Sequence, residues 1–279
     1  MSLTIQGPSV ADQIREATRA KSSAHWYREN GEACHSRLTK QGKERATNLR
    51  DARKENLYPS VTSILGILNK KGLEQWKQNN LLKSAWDKRE LAADFEKWLK
   101  EVVASSWEVS KEAMQFGTDW HHMAESYATT GKIENIDPQV EPYVDEFKAW
   151  FDEKVVEVVS SEQSVVHPLG FAGTRDLVFK HKDYPGLVVG DYKTQNVNEK
   201  YGPKVYPEHA LQLAAYHQCK IEGNTDPVVC LSIIIDSNKP APLHEHVWPA
   251  EEINDAWETF CHCLAIWQAQ NKYKPSPGQ

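Results

Sequence analysis

Residues 170–194 read GFAGTRDLVFKHKDYPGLVVGDYKT. Two apolar, β-branched runs, at 171–180 and 187–194, lie on either side of a polar segment closed by Pro185 and Gly186, the pattern of two strands joined by a turn. A run of the same kind, VVEVVSSEQSVVHP at 155–168, precedes them and predicts a third strand. Working outward, HALQLAAYHQCKIEG at 209–223 has helical apolar spacing and predicts a helix ending at Gly223. VVCLSIIID at 228–236 and LHEHVWP at 243–249 add two strands, and a closing helix runs from about Ala250 to Gln270. Three strands, a helix, further strands and a final helix predict an α/β fold, with a central mixed β-sheet flanked by helices.

Upstream the period changes to that of helices. Ser60 can cap a short helix through Leu68, with Val61, Ile64, Leu65 and Leu68 at helical spacing. A tryptophan-rich stretch carrying Trp76, Trp86 and Trp98 follows, then a helix from about Trp107 to Thr130 stopped by Gly131. Asp137-Pro138 opens another, with Val140, Tyr143, Val144, Phe147 and Trp150 or Phe151 on a common face. The expected organisation is a charged, helical N-terminal arm over 1–57, a helical region over 58–154 and the sheet-bearing core over 155–279. The last two are expected to form one compact unit.

Composition narrows the class. Of 279 residues 40% are hydrophobic and 26% charged, which suits a globular chain and not a disordered one. No apolar run approaches the roughly 18 residues of a membrane helix. The first residues, MSLTIQGPSVADQIREATRAK, lack the basic-then-apolar layout of a secretory signal, so a cytoplasmic address without a membrane partner is the expectation. Cys34, Cys219, Cys230, Cys261 and Cys263 are odd in number and show no Cys-x-x-Cys spacing. Buried thiols fit better than disulfides, a zinc ribbon or an iron–sulfur cluster. The net charge of −6 asks that any polyanion be met by local positive groups. Two such groups are Lys40, Lys43, Arg45, Arg50, Arg53 and Lys54, then Lys70, Lys71, Lys77, Lys83, Lys88 and Arg89. Phosphate-loop, HExxH and GxSxG motifs are absent from the sequence.

The chemistry concentrates around the opening stretch. Asp176 lies inside one predicted strand, Asp191 at the end of the next, and Lys193 two residues on. Alternation puts Asp191 and Lys193 on one face with Tyr192 pointing away, and a hairpin pairing can add Asp176 to that face. Two carboxylates in a partly buried place repel each other and call for a counter-ion. Mg²⁺ is held by one or two carboxylates plus phosphate oxygens, and a neighbouring lysine can orient or deprotonate a water. Read alone, the Asp-x-Lys triplet also fits a surface ion pair beside an unrelated aspartate. Upstream, His121 and Glu125 share a helix face, and an imidazole beside carboxylates would lean a site towards Mn²⁺. Gln212 and Tyr216 likewise share a face of the helix after the Asp-x-Lys strand.

In order, Gly117-x-x-x-His121-x-x-x-Glu125, Gly173-x-x-Asp176, Asp191-Tyr192-Lys193-Thr194 and Gln212-x-x-x-Tyr216 resemble the PD-(D/E)XK nuclease superfamily. The likeness is to the branch holding RecB-type, Cas4-type and mitochondrial genome maintenance exonuclease domains. It spans roughly residues 58 to 265, since Pro59-Ser60-Val61-Thr62 matches the opening of that branch's helical region. The resemblance implies a restriction-endonuclease-like core with one or two Mg²⁺ or Mn²⁺ ions. Asp176, Asp191, His121 and the main-chain carbonyl of Tyr192 would hold the metal, and Lys193 would be the catalytic lysine. Glu125, Gln212, Tyr216, Thr194, Ser60 and Thr62 would support the site or touch DNA. Trp76 and Trp86, near lysines, are candidates for stacking unpaired bases. The His121-His122 doublet leaves the histidine ligand to be decided, with spacing from Gly117 favouring His121.

The implied activity is hydrolysis of DNA phosphodiesters by an exonuclease preferring single strands or free ends, in phage, recombination or DNA-repair use, with room for a recombination or replication partner protein. The rivals are a double-strand-end resecting exonuclease, a structure-selective endonuclease, and a catalytically silent nucleic-acid-binding protein.

Overall fold

The computed structural model describes residues 25–278. Residues 1–24 of the expected arm lie outside the described residues. In chain order the elements are β1 (Trp26–Tyr27), β2 (Ser36–Leu38), β3 (Glu44–Ala46), α1 (Leu49–Glu55), β4 (Tyr58–Pro59) and α2 (Val61–Leu65). Then come α3 (Lys71–Asp87), α4 (Phe95–Thr130), α5 (Val144–Lys154), β5 (Val155–His167), β6 (Phe171–His181) and β7 (Leu187–Gln195). The chain closes with α6 (Pro207–His217), β8 (Val228–Asp236), β9 (His244–Trp248) and α7 (Ala250–Asn271). It divides into two compact units: one comprises Ala24–Leu68 and Phe116–Gln279, and the described part of the other runs from Asn69 to Gln115.

The larger unit is built on a five-stranded mixed sheet in the order β5-β6-β7-β8-β9. Neighbours are antiparallel except β7 and β8, which run parallel from Leu187↔Val228 to Gln195↔Asp236. Parallel neighbours cannot be joined by a tight turn, and the loop and α6 between them supply the crossover. β7 is the middle strand, and its residues from Leu187 to Tyr192 are all buried, which is why LVVG reads as an unbroken apolar run. On one side of the sheet Leu177, Phe179, Tyr192 and Ile233 pack against Trp120 of α4 and Phe147 of α5. On the other, Val178, Val189 and Cys230 pack with α2, α6 and α7. The expected α/β architecture, a mixed sheet between helices, is the one observed.

Local chemistry accounts for the element boundaries. Ser60 caps α2, its Oγ accepting from the Ser63 amide at 3.0 Å. Asn48 and Asp51 form a capping box on α1, and Gly131 ends α4 at φ +68°. Residues 25–57, expected to be helical, instead hold three short strands and α1. Gly31 and Gly42, at φ +86° and +76°, make the turns, and burial of Trp26 and Tyr27 against Tyr58 and Pro59 outweighs the weak helical pattern. The helix expected from Asp137 begins at Val144, because the Asp137 carboxylate accepts from the Gln139 amide at 2.9 Å and builds a turn. The helix expected to reach Gly223 stops at His217, since Cys219 and Ile221 turn into the core shared with α7.

One topological feature positions everything that follows. β6 and β7 pair only at Leu177↔Gly190, Val178↔Val189 and Phe179↔Val188. Beyond Gly190, β7 stays with β8 and β6 stays with β5. The sheet therefore splits at Asp176 and Asp191.

Candidate active site

In the split, the side chain of Asp176 does what a backbone carbonyl does elsewhere in the ladder. Its Oδ2 accepts from the Tyr192 amide at 2.8 Å. A residue's N–H and C=O point to the same edge of a strand, so the Tyr192 carbonyl faces the gap as well. The Tyr192 ring is buried on the α4–α5 side, away from Asp191, as alternation requires.

Alternation itself reverses at Asp176. Phe171 and Arg175 face the α6–α7 layer, whereas Leu177 and Phe179 face α4 and α5. The flanking pairs Ser161↔Leu177 and Gln163↔Arg175 place Glu162 opposite Asp176, and Glu162 has a left-handed φ of +47°. Such a conformation costs about 1–3 kcal/mol in a non-glycine residue and recurs at functional sites. Across the rim, His121 on α4 puts Nδ1 at 2.9 Å from Glu162 Oε1 and 3.8 Å from Asp176 Oδ2. His121, Glu162 and Asp176 thus offer three ligand atoms within 4.8 Å of one another.

From the opposite layer α6 contributes Gln212. Its Nε2 donates to Asp191 Oδ1 at 3.0 Å, and its Oε1 accepts from Lys193 Nζ at 3.2 Å. Lys193 is also ion-paired with Asp191 Oδ2, the carboxylate being almost wholly buried. Burial pushes the Asp176 and Asp191 carboxyls up, against the pull of Lys193 and, for Asp176, of His121. Burial lowers the His121 imidazole, but the Asp176 and Glu162 carboxylates outweigh it and raise the group to about 9. A histidine raised in this way contributes stability that is full below about pH 6.5 and is lost as pH rises through about 9. In EDTA, the Tm difference between wild type and His121→Ala is therefore expected to shrink across that window; a pH-independent difference would refute the assigned ion pair.

The donor set fits a divalent cation. Carboxylate oxygens and one imidazole crowd the rim, burial disfavours the charge of Asp176 and Asp191, and buried Asp191 Oδ2 is engaged only through its ion pair with Lys193 among the described residues. Of the histidine doublet, His121 faces Asp176, whereas His122 is exposed and lines a separate cleft with Asp119 and Asp137. Thr194 lies beside Gly117, where an added Cβ would come 3.5 Å from its Oγ1. Glu125, one turn along α4, is half-buried. Ser60 is buried as a helix cap, with Thr62 exposed at 3.0 Å from it. Trp76 lies on α3 in the smaller unit.

Tyr216 is buried behind the carboxylates. Its ring explains Gly173: an added Cβ would lie 2.7 Å from Tyr216 Cε1 and 2.9 Å from its hydroxyl. Gly173→Ala should cost about 1–3 kcal/mol through overpacking, read as a lowered Tm. An unchanged Tm would show that the ring yields freely.

Glu162 was not singled out by the sequence. Its one signal was an acid within a β-branched run, and only the β5–β6 register shows that it meets Asp176.

The family model of the PD-(D/E)XK nuclease superfamily matches residues 31–279. The chain belongs to that superfamily. The fold is thus that of a restriction-endonuclease-like nuclease, whose superfamily uses divalent metals and takes nucleic acid as its substrate class. No curated protein matches the sequence. Among the described residues of the nuclease, no helix is long and apolar enough to cross a membrane.

Proposed function

We propose that the chain is a divalent-metal-dependent deoxyribonuclease of the RecB-like branch, acting as an exonuclease on single strands or free DNA ends. The observation that carries the reading is the meeting of Asp176, Asp191 and Lys193 where β6 and β7 part, with Gln212 joining the last two. In this reading Asp176, Asp191, the Tyr192 carbonyl and His121 hold Mg²⁺ or Mn²⁺, and Glu162 joins them. The ion supplies positive charge that polarises the scissile phosphodiester and acidifies water.

The protein's own groups do the rest. Gln212 fixes the Lys193 ammonium beside Asp191, so that it can orient the attacking water and offset charge developing on the phosphate. The Tyr192 amide holds Asp176 Oδ2, the oxygen that also faces His121, and so fixes the carboxylate at the rim. Glu162 and Asp176 hold the imidazole of His121 in place.

The test is release of end label from linear single-stranded DNA with Mg²⁺, Mn²⁺ or EDTA, set beside a covalently closed circle of the same sequence. Metal-dependent release from the linear substrate alone is the expected result. Cutting of the circle would reassign the enzyme as an endonuclease, and no cutting of any DNA or RNA with any metal would leave a binding protein.

A further inference from the structure

The loop that leaves the Asp-x-Lys strand returns directly into the helix bearing Gln212, and it is braced throughout. Gln195 closes its base, Nε2 donating to the Lys204 carbonyl at 2.9 Å and Oε1 accepting from the Lys204 amide at 3.0 Å. Asp236 Oδ1 accepts from the Val197 amide at 3.2 Å, and Asn238 Nδ2 donates to Asn196 Oδ1 at 2.9 Å. At the tip, Asn198 Oδ1 accepts from the Lys200 and Tyr201 amides, and Gly202 closes the turn at φ +72°. Lys239 reaches in from the neighbouring loop to Glu199 at 2.5 Å.

On this braced tip the Tyr201 side chain stands 71% exposed. The Lys200 ammonium lies over the ring, 5.1 Å from its centroid, which accounts for one face. Further along the loop, just before α6, Val205 and Tyr206 are each 37% exposed. There Tyr206 meets His209 of α6 edge-on with centroids 5.5 Å apart, one turn before Gln212. Between the Asp-x-Lys strand and α6 the loop thus presents two exposed rings, Tyr201 and Tyr206, and two exposed lysines, Lys200 and Lys204.

A large ring held out in water by a rigid loop gives up apolar burial and has little conformational entropy left to lose on binding. Ring faces accept any base, and ammonium groups beside them meet the phosphates between bases. We propose that this loop is a stacking platform for an unpaired base of the substrate strand, with Tyr201 as the ring and Lys200 and Lys204 as its phosphate contacts. The proposal rests on the nuclease reading and adds to it the part that recognises unpaired nucleotides. A surface for another protein would use the same ring without the lysines' dependence on salt.

Anisotropy of a fluorescein-labelled oligothymidylate, and of an abasic oligomer of equal length, tests it with the full chain in EDTA. Tyr201→Ala is expected to weaken oligothymidylate binding about tenfold, with Tyr201→Phe within about twofold of wild type. The abasic oligomer should not distinguish the three proteins. Lys200→Ala and Lys204→Ala should weaken both ligands and each lower the salt slope by about one. Wild-type affinity in Tyr201→Ala, or equal loss on both oligomers, overturns the platform, and a lysine effect absent for both ligands overturns the phosphate contacts. Metal-dependent cleavage by wild type is scored alongside. Cleavage with unchanged Tyr201→Ala binding defeats the platform alone, whereas absence of both cleavage and binding defeats the nuclease reading with it.

Discussion

Lys193→Met is expected to lower metal-dependent cleavage by about 10²–10⁴, the range for removing one positioned charge or proton-transfer group at a reacting phosphate. Binding of the oligonucleotide should change far less, because the ammonium faces Asp191 and Gln212 inside the site and is not part of an open basic surface. A second effect separates catalysis from folding. Removing Lys193 leaves the Asp191 carboxylate buried with only Gln212 as a partner, and breaking a buried pair costs up to about 3–5 kcal/mol. Partial exposure of Lys193 places the loss at the lower end. Mn²⁺ should restore part of the lost Tm in Lys193→Met without restoring cleavage. Full cleavage by this variant would remove Lys193 from the mechanism.

Asp176→Asn and Glu162→Gln are expected to act on the metal. Asp176 is the junction of the site, touching the Tyr192 amide and His121 and lying opposite Glu162. Asparagine keeps an oxygen for the Tyr192 amide but removes a buried charge that burial already disfavours. The relief of that charge is offset by loss of the His121 ion pair, so the metal-free variant should melt close to the wild-type temperature, while the rise in Tm on adding Mg²⁺ or Mn²⁺ and the cleavage are both lost. Glu162→Gln should weaken the metal-induced rise without abolishing it, since Asp176 and His121 remain. A normal metal response in Asp176→Asn would move the ion elsewhere. An unaltered response in Glu162→Gln would leave Glu162 as a support for His121 alone.

Between these two residues lies the difference between what was legible and what was not. Asp191 and Lys193 could be read because period-two alternation puts them together on any strand. Gln212 and Tyr216 could be read because four residues make about one helical turn. Such relations depend only on local geometry, and the mixed sheet with its helices followed from the same periods. Residues 25–57 misled because a polar stretch with weak periodicity is decided by partners distant in sequence, here Tyr58 and Pro59 against Trp26 and Tyr27.

From residue 155 onward the sequence by itself determined the order of strands and helices, the Asp-x-Lys pair and the face of α6 that meets it. Only the tertiary structure decided that β6 and β7 part beyond Gly190, that alternation reverses at Asp176, and that Glu162 and His121 converge there. The reason is physical: a strand's own period places neighbours two residues apart, but the register between strands and the seating of α4 arise from packing across the whole core. A carboxylate 14 residues before Asp176 becomes its neighbour through that packing alone.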